Sequence, residues 1–203
     1  MNTTLRDTLL LVLLLGTACS SAEEGGVMLS EMMSNNGGSH LDEDGDPSDW
    51  IEIENTSSVD VSIQGWGLTD DERDPFKWVL PYAVIPPGGQ LLIYASDKDR
   101  RNPTRPLHTN FKLKSSGEVL LLTSADGRLI DRLSLPPSSP DISWGRQGGD
   151  PNSLVHFHRP SPGTPNATDG RLHPLEVPAD PPPPLPYSLA RHARPPLPAP
   201  RAA

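Results

Sequence analysis

Residues 41–55 read LDEDGDPSDWIEIEN, an acidic turn running straight into an alternating segment. Five acids (Asp42, Glu43, Asp44, Asp46 and Asp49) fall within eight residues, with Gly45 and Pro47 between them. Next, Ile51 and Ile53 take one face of an extended chain, and Trp50, Glu52 and Glu54 take the other. That alternation marks a strand, because successive side chains leave an extended backbone on opposite faces. Upstream, VMLSEMM (27–33) sets Val27, Leu29, Glu31 and Met33 against Met28, Ser30 and Met32. Downstream come VDVSI (59–63), QGWGL (64–68), KWVL (77–80), QLLIYAS (90–96), FKLK (111–114), EVLLLTS (118–124) and RLIDRLSL (128–135), and ISWG (142–145) closes the series. Short alternating runs separated by turn residues predict an all-β fold, an antiparallel sandwich or barrel. Asp126–Gly127 predicts a hairpin turn, since glycine accepts positive φ without a Cβ clash, and PPGG (86–89) predicts another turn. Residues 27–146 have the length of an immunoglobulin-like sandwich. The likeness is architectural, because one cysteine cannot supply the inter-sheet disulfide of antibody domains.

Both ends of the chain differ from this middle. Residues 1–18 carry one base, Arg6, an apolar run from Leu9 to Leu15 and small residues through Ala18. The run is too short to span a bilayer and predicts an export signal. Cys19 follows directly and resembles the acylated first residue of a bacterial lipoprotein, although Gly16 stands where that motif prefers Leu. Ordinary signal cleavage after Ala18 or Ser20 is the alternative. Residues 19–26 would then form a tether, and the protein an outer-membrane or cell-surface lipoprotein. From Asp169 onward, eleven of thirty-five residues are proline, which predicts a disordered, Pro-rich tail over 167–203. The chain has a formal charge of −9, with fifteen acids and one base between Glu23 and Asp74, and fifteen bases and ten acids after Phe76. That asymmetry predicts an acidic end and a mildly basic end on one domain. It argues against nucleic acid as the main partner, since nonspecific binding to nucleic acid needs a net basic footprint.

Four stretches in order resemble the bacterial lamin-tail domain: VMLSEMMSNNGG, DEDGDPSDWIEIEN, WGLTDDERDPFKWVLP with IPPGGQLLIYASDKDR, and LHTNFKLKSSGEVLLL. SPGTPN (161–166), a turn that often ends the bacterial domain, agrees and sets the expected domain at 27–166. The resemblance implies an immunoglobulin-like module found on secreted or surface proteins, often beside nucleases, kinase-like proteins or adhesive repeats. It implies a role in binding or attachment.

The candidate chemistry is sparse. Asp42, Asp44, Asp46 and Asp49 could converge on Ca²⁺, which takes oxygen ligands. Counting from Asp42, however, the sixth and twelfth positions of an EF-hand loop fall on Pro47 and Ile53, where Gly and Glu are needed. A charged turn whose aspartates bond nearby N–H groups is the alternative. SDKDRRNPTRP (96–106) gathers Lys98, Arg100, Arg101 and Arg105 as a candidate anion-binding loop, with Asp97 and Asp99 offsetting part of its charge. His156 and His158 would share a strand face but have no third ligand at metal-site spacing. His108 is expected to hydrogen-bond a loop. The four tryptophans are expected to pack in the core or on strand faces. No G-x-S-x-G, Walker or H-E-x-x-H motif occurs. The expected protein is a non-enzymatic attachment module without a resident cofactor, whose partner is a surface protein or polysaccharide and whose lipid chain holds it to a membrane. The alternatives are an accessory domain separated from a catalytic partner, and a binder of nucleic acid or anionic polysaccharide through Lys98–Arg105.

Overall fold

A computed structural model describes residues 26–166. Residues 1–25 and 167–203 lie outside it, and with them the expected export signal, Cys19, most of the expected tether and the proline-rich segment. The described residues are all-β, with a short 3-10 turn at Gln147–Gly149.

The strands are β1 (Val27–Met33), β2 (Asp49–Asn55), β3 (Val61–Ser62), β4 (Gly67–Thr69), β5 (Trp78–Val79), β6 (Val84–Ile85), β7 (Gln90–Ala95), β8 (Leu107–His108), β9 (Glu118–Thr123), β10 (Leu129–Leu135), β11 (Ser143–Arg146) and β12 (Leu154–Phe157). Six form one sheet in the order β12-β11-β1-β2-β7-β8, four form a second in the order β10-β9-β4-β5, and β3 pairs with β6. Every pairing is antiparallel except β7 with β8. The principal core joins Leu29, Met32, Ile51, Ile53 and Ile93 of the first sheet to Leu68, Trp78, Leu120, Leu122 and Leu133 of the second.

Several sequence expectations need correction. VMLSEMM does not alternate throughout. A bulge at Ser30 changes the phase, so Leu29 lies opposite Ile53 while Glu31 lies opposite Glu52. Val27, Leu29 and Met32 therefore face the main core, and Met33 joins Trp50 and Tyr94 in a separate cluster. One extra residue in a period-two pattern sends every later side chain to the other face. FKLK forms no strand; within it only Lys112 makes an isolated bridge, to Ser96. Val59 is 46% exposed and lies outside β3. The series does not close at ISWG, because LVHF of β12 adds a further strand beside β11. Predicted Asp126–Gly127 is the β9–β10 turn, with Gly127 at φ 90°.

A largely buried ion pair, Arg146 with Asp131, joins the two sheets at the bulge. Asp131 of β10 accepts the Leu29 N–H at 2.8 Å. Arg146 of β11 grips both Asp131 oxygens and donates to the carbonyls of Leu29 (2.8 Å) and Pro151 (2.9 Å). Backbone groups that the bulge removes from the β1 ladder thus find side-chain partners, as buried peptide groups require.

Candidate functional site

The acidic and basic segments meet. β2 begins where β7 ends, with Asp49 opposite Ala95. The loop entering β2 and the loop leaving β7 therefore share one rim of the sheet. This corrects the expected separation into an acidic end and a basic end.

Asp42 organises the rim. Its Oδ1 accepts the N–H groups of Asp44 (2.9 Å) and Asp46 (3.0 Å), and its Oδ2 accepts the Ser48 hydroxyl (2.7 Å). Gly45, at φ 81°, permits the tight turn between them. The Lys98 ammonium stands 2.6 Å from Asp42, 2.7 Å from Asp44 and 2.9 Å from Asp46. Arg100 bonds Glu43 and Asp44, each at 2.6 Å. Burial pushes the Asp42 carboxyl up, but Lys98, Ser48 and the two turn N–H groups outweigh it and hold Asp42 well below the usual range. Lys98, also opposed by desolvation, is raised by its three carboxylates. Asp49 does not join this group; it accepts the Asn36 N–H at 3.0 Å, and burial raises it. Asp42, Asp44 and Asp46 have the spacing of a cation cage. A lysine ammonium stands among their oxygens. Calorimetric titration with Ca²⁺ is therefore expected to give no heat, and chelator no change in Tm. A chelator-sensitive Tm would show that an ion displaces Lys98.

Among the other basic-loop residues, Arg101 bonds Asp99 at 2.7 Å and lies over the Trp78 ring, while Arg105 sits exposed in the turn begun by Asn102. Asp97 (φ 65°) and Asp99 (φ 48°) alternate through the left-handed region, to which aspartate is better suited than most residues. Their N–H groups bond the carbonyls of Phe111 and Thr109.

His108 lies beneath the two loops and is fully buried. Its Nδ1 is 2.7 Å from the Ser96 hydroxyl, and its Nε2 is 2.9 Å from Glu43. Its ring stacks on Tyr94 at 5.0 Å, and Tyr94 in turn stacks on His40 at 5.8 Å. Met33, Trp50, Tyr94 and His108 occupy one cross-strand row. Ser96–His108–Glu43 places hydroxyl, imidazole and carboxylate in hydrolytic order. Its surroundings are those of a brace. The Asp97 N–H bonds Phe111, and the Lys98 N–H bonds the Ser96 oxygen itself at 3.3 Å. The two amides that follow the hydroxyl are thus turned away from an incoming oxyanion, which needs donors aimed at its position.

A second polar centre lies on the same outer sheet face. Glu31 and Glu52 are fully buried opposite each other. Ser161 donates its N–H (3.1 Å) and hydroxyl (2.8 Å) to Glu31 Oε2, and Ser143 also bonds Glu31. Ser30 and Gly163 donate to Glu52 at 2.8 and 2.7 Å. Asn166 completes the strap by donating to the carbonyls of Ser30 and Arg146. Desolvation raises both carboxyls, Glu52 to about 7, with the Glu31 and Glu54 charges adding to the effect on Glu52. Sequence reasoning missed this centre and the Ser96–His108–Glu43 chain. A glutamate within the predominantly apolar VMLSEMM was the available signal. His156 of β12 packs against Trp144, with ring centroids 3.6 Å apart. All four tryptophans are buried.

A family model described as Lamin Tail Domain matches residues 20–136, more than half of the chain. The chain belongs to the lamin tail domain family. No curated protein matches it. The lamin tail domain match spans both rim loops and Glu31 with Glu52, but ends before β11, β12 and the strap. Those later residues nevertheless complete the six-stranded sheet and cover the buried glutamates.

Proposed function

We propose that this lamin tail domain is a non-enzymatic attachment module, exported and held at a cell surface through an acylated Cys19. Its partner is a surface protein or polysaccharide. The observation that carries the reading is the rim, where ion pairs of Lys98 and Arg100 with Asp42, Asp44, Asp46 and Glu43, and a hydrogen bond between His108 and Glu43, form one brace. Such a brace suits a rigid scaffold better than a turnover site. The family supports a module of this kind, and the Leu9–Leu15 run followed by Cys19 supports the anchor. Three of the four cations considered for anion binding, Lys98, Arg100 and Arg101, already neutralise acids, which makes that alternative weaker.

Fatty-acid labelling and membrane fractionation test the anchor. Wild type is expected to label and sediment with membranes, and Cys19→Ala to do neither. Labelling that survives Cys19→Ala would refute the anchor. Hydrolytic turnover lost in Ser96→Ala would refute the non-enzymatic role.

A further inference from the structure

Beyond β12 the chain turns back over the outer face of the six-stranded sheet. Thr164 donates its N–H and its hydroxyl to the Ser161 carbonyl, each at 3.0 Å, and Gly163 at φ 79° closes this turn. From the turn, the Ser161 N–H and hydroxyl reach Glu31, and the Gly163 N–H reaches Glu52. Ser143 and Ser30 supply the other donors, from the sheet itself. Among the described residues, the bonded partners of both carboxyls are therefore serine hydroxyls and peptide N–H groups, and none is a base.

One hydroxyl of the strap has two acceptors. Ser161 Oγ lies 2.8 Å from Glu31 Oε2 and 3.1 Å from Asn166 Oδ1. The Asn166 amide nitrogen donates to the carbonyls of Ser30 and Arg146, so its oxygen faces Ser161 as an acceptor. Serine carries one hydroxyl hydrogen. Both contacts are hydrogen bonds only when Glu31 holds a proton and donates it to Ser161. The cross-strand position points the same way. Glu31 and Glu52 are opposite each other and fully buried, so ionising both would set two like charges side by side without water or a cation. Half-buried Glu54 adds a third acid on that face, while Gln90 and Leu92, opposite on β7, are neutral. On β11, Arg146 is bonded to Asp131, and on β12, His156 packs against Trp144. His158 and Arg159 are the charged or titratable residues of the chain between β12 and Ser161.

We propose that the Ser161–Asn166 strap is a proton-operated latch, closed over Glu31 and Glu52 while the pair holds a proton and released as the pair ionises. On release, water hydrates both carboxylates. The chain then leaves the sheet at Phe157, the end of β12, instead of at Asn166, from which residues 167–203 continue. Burial raises both carboxyls, Glu52 from 4.5 to about 7, so the closed form binds the proton more tightly than a hydrated open form. Closure is thus fully favoured below pH 4.5 and weakens as pH rises through 7. The latch is independent of Cys19 and of any partner, so its failure would leave the attachment reading intact.

Amide exchange of the full chain, followed by NMR and corrected for the intrinsic pH dependence of exchange, tests the latch. The Ser161 and Gly163 amides report on the strap, and those of β2 report on the sheet beneath it. Between pH 4.5 and 7, protection of the strap amides is expected to fall about tenfold per pH unit, the slope for loss of one proton on opening. Protection in β2 is expected to persist. Glu31→Gln combined with Glu52→Gln removes both ionisable groups at nearly constant shape, and its strap protection should not vary with pH. Strap protection that stays level in wild type, or falls only together with that of β2, would overturn the proposal. So would an unchanged slope in the double variant. A second measurement needs no variant: the side-chain carboxyl ¹³C shifts of Glu31 and Glu52 should show a proton held by the pair at pH 5.5. Two ionised carboxylates at that pH beneath a protected strap would also overturn it.

Discussion

Arg146→Ala is expected to lower unfolding free energy by about 3–5 kcal/mol, the range for removing one partner of a buried ion pair. The guanidinium satisfies Asp131 and the carbonyls of Leu29 and Pro151, while Asp131 also holds the Leu29 N–H. The deletion therefore strands a buried carboxylate at the corner where β1, β10 and β11 meet, and deprives two carbonyls of donors. Urea denaturation should show a lower midpoint with an unchanged m-value. Replacing both partners by apolar residues of similar volume, Arg146→Met with Asp131→Leu, should recover part of the loss, because no lone buried charge then remains. A single-mutant loss below about 1 kcal/mol, typical of exposed pairs, would show that solvent screens this corner.

Glu52→Gln is expected to remove most of a pH dependence on the order of 3 kcal/mol, the free-energy equivalent of raising one carboxyl from 4.5 to about 7. Between those values folded Glu52 holds a proton that the unfolded chain has released. Stability from this group is therefore fully present below pH 4.5 and is lost as pH rises through 7. Glu31 is displaced in the same direction and should leave a smaller residual slope. Asp42 acts oppositely: its lowered carboxyl contributes stability above 3.8 that is lost as pH falls. Wild type should therefore be most stable in mildly acidic solution, losing stability on both sides. Thermal unfolding from pH 5 to 8 checks this: Tm of wild type should fall across the range while that of Glu52→Gln stays nearly level. Parallel profiles would place the pH dependence elsewhere.

The two sites were unequally legible in the sequence. Asp42, Asp44 and Asp46 stand out, as do Lys98 and Arg100, because each set is a local run of like charge. Their union is not local. It joins residues 52–57 positions apart, and it depends on β2 lying antiparallel to β7. Read alone, the acidic run suggests a metal ion and the basic run suggests an anion, but across the rim each supplies counter-charges for the other. Glu31 and Glu52 left a fainter trace, since a lone acid on a strand is usually solvated. Their burial follows from the bulge at Ser30 and from a strap more than a hundred positions away.

From its sequence alone, the chain's β class, the cores of its longer strands and the Asp126–Gly127 turn were determined. Each follows from local chemistry: alternation, β-branched residues and a glycine able to take positive φ. The order of residue types also sufficed to indicate the lamin tail resemblance. Only the tertiary structure decided which face Met33 takes, where Lys98 puts its charge, and that β12 and the strap close the outer sheet. Those outcomes depend on an inserted residue and on contacts between distant segments, and a local pattern carries no information about either.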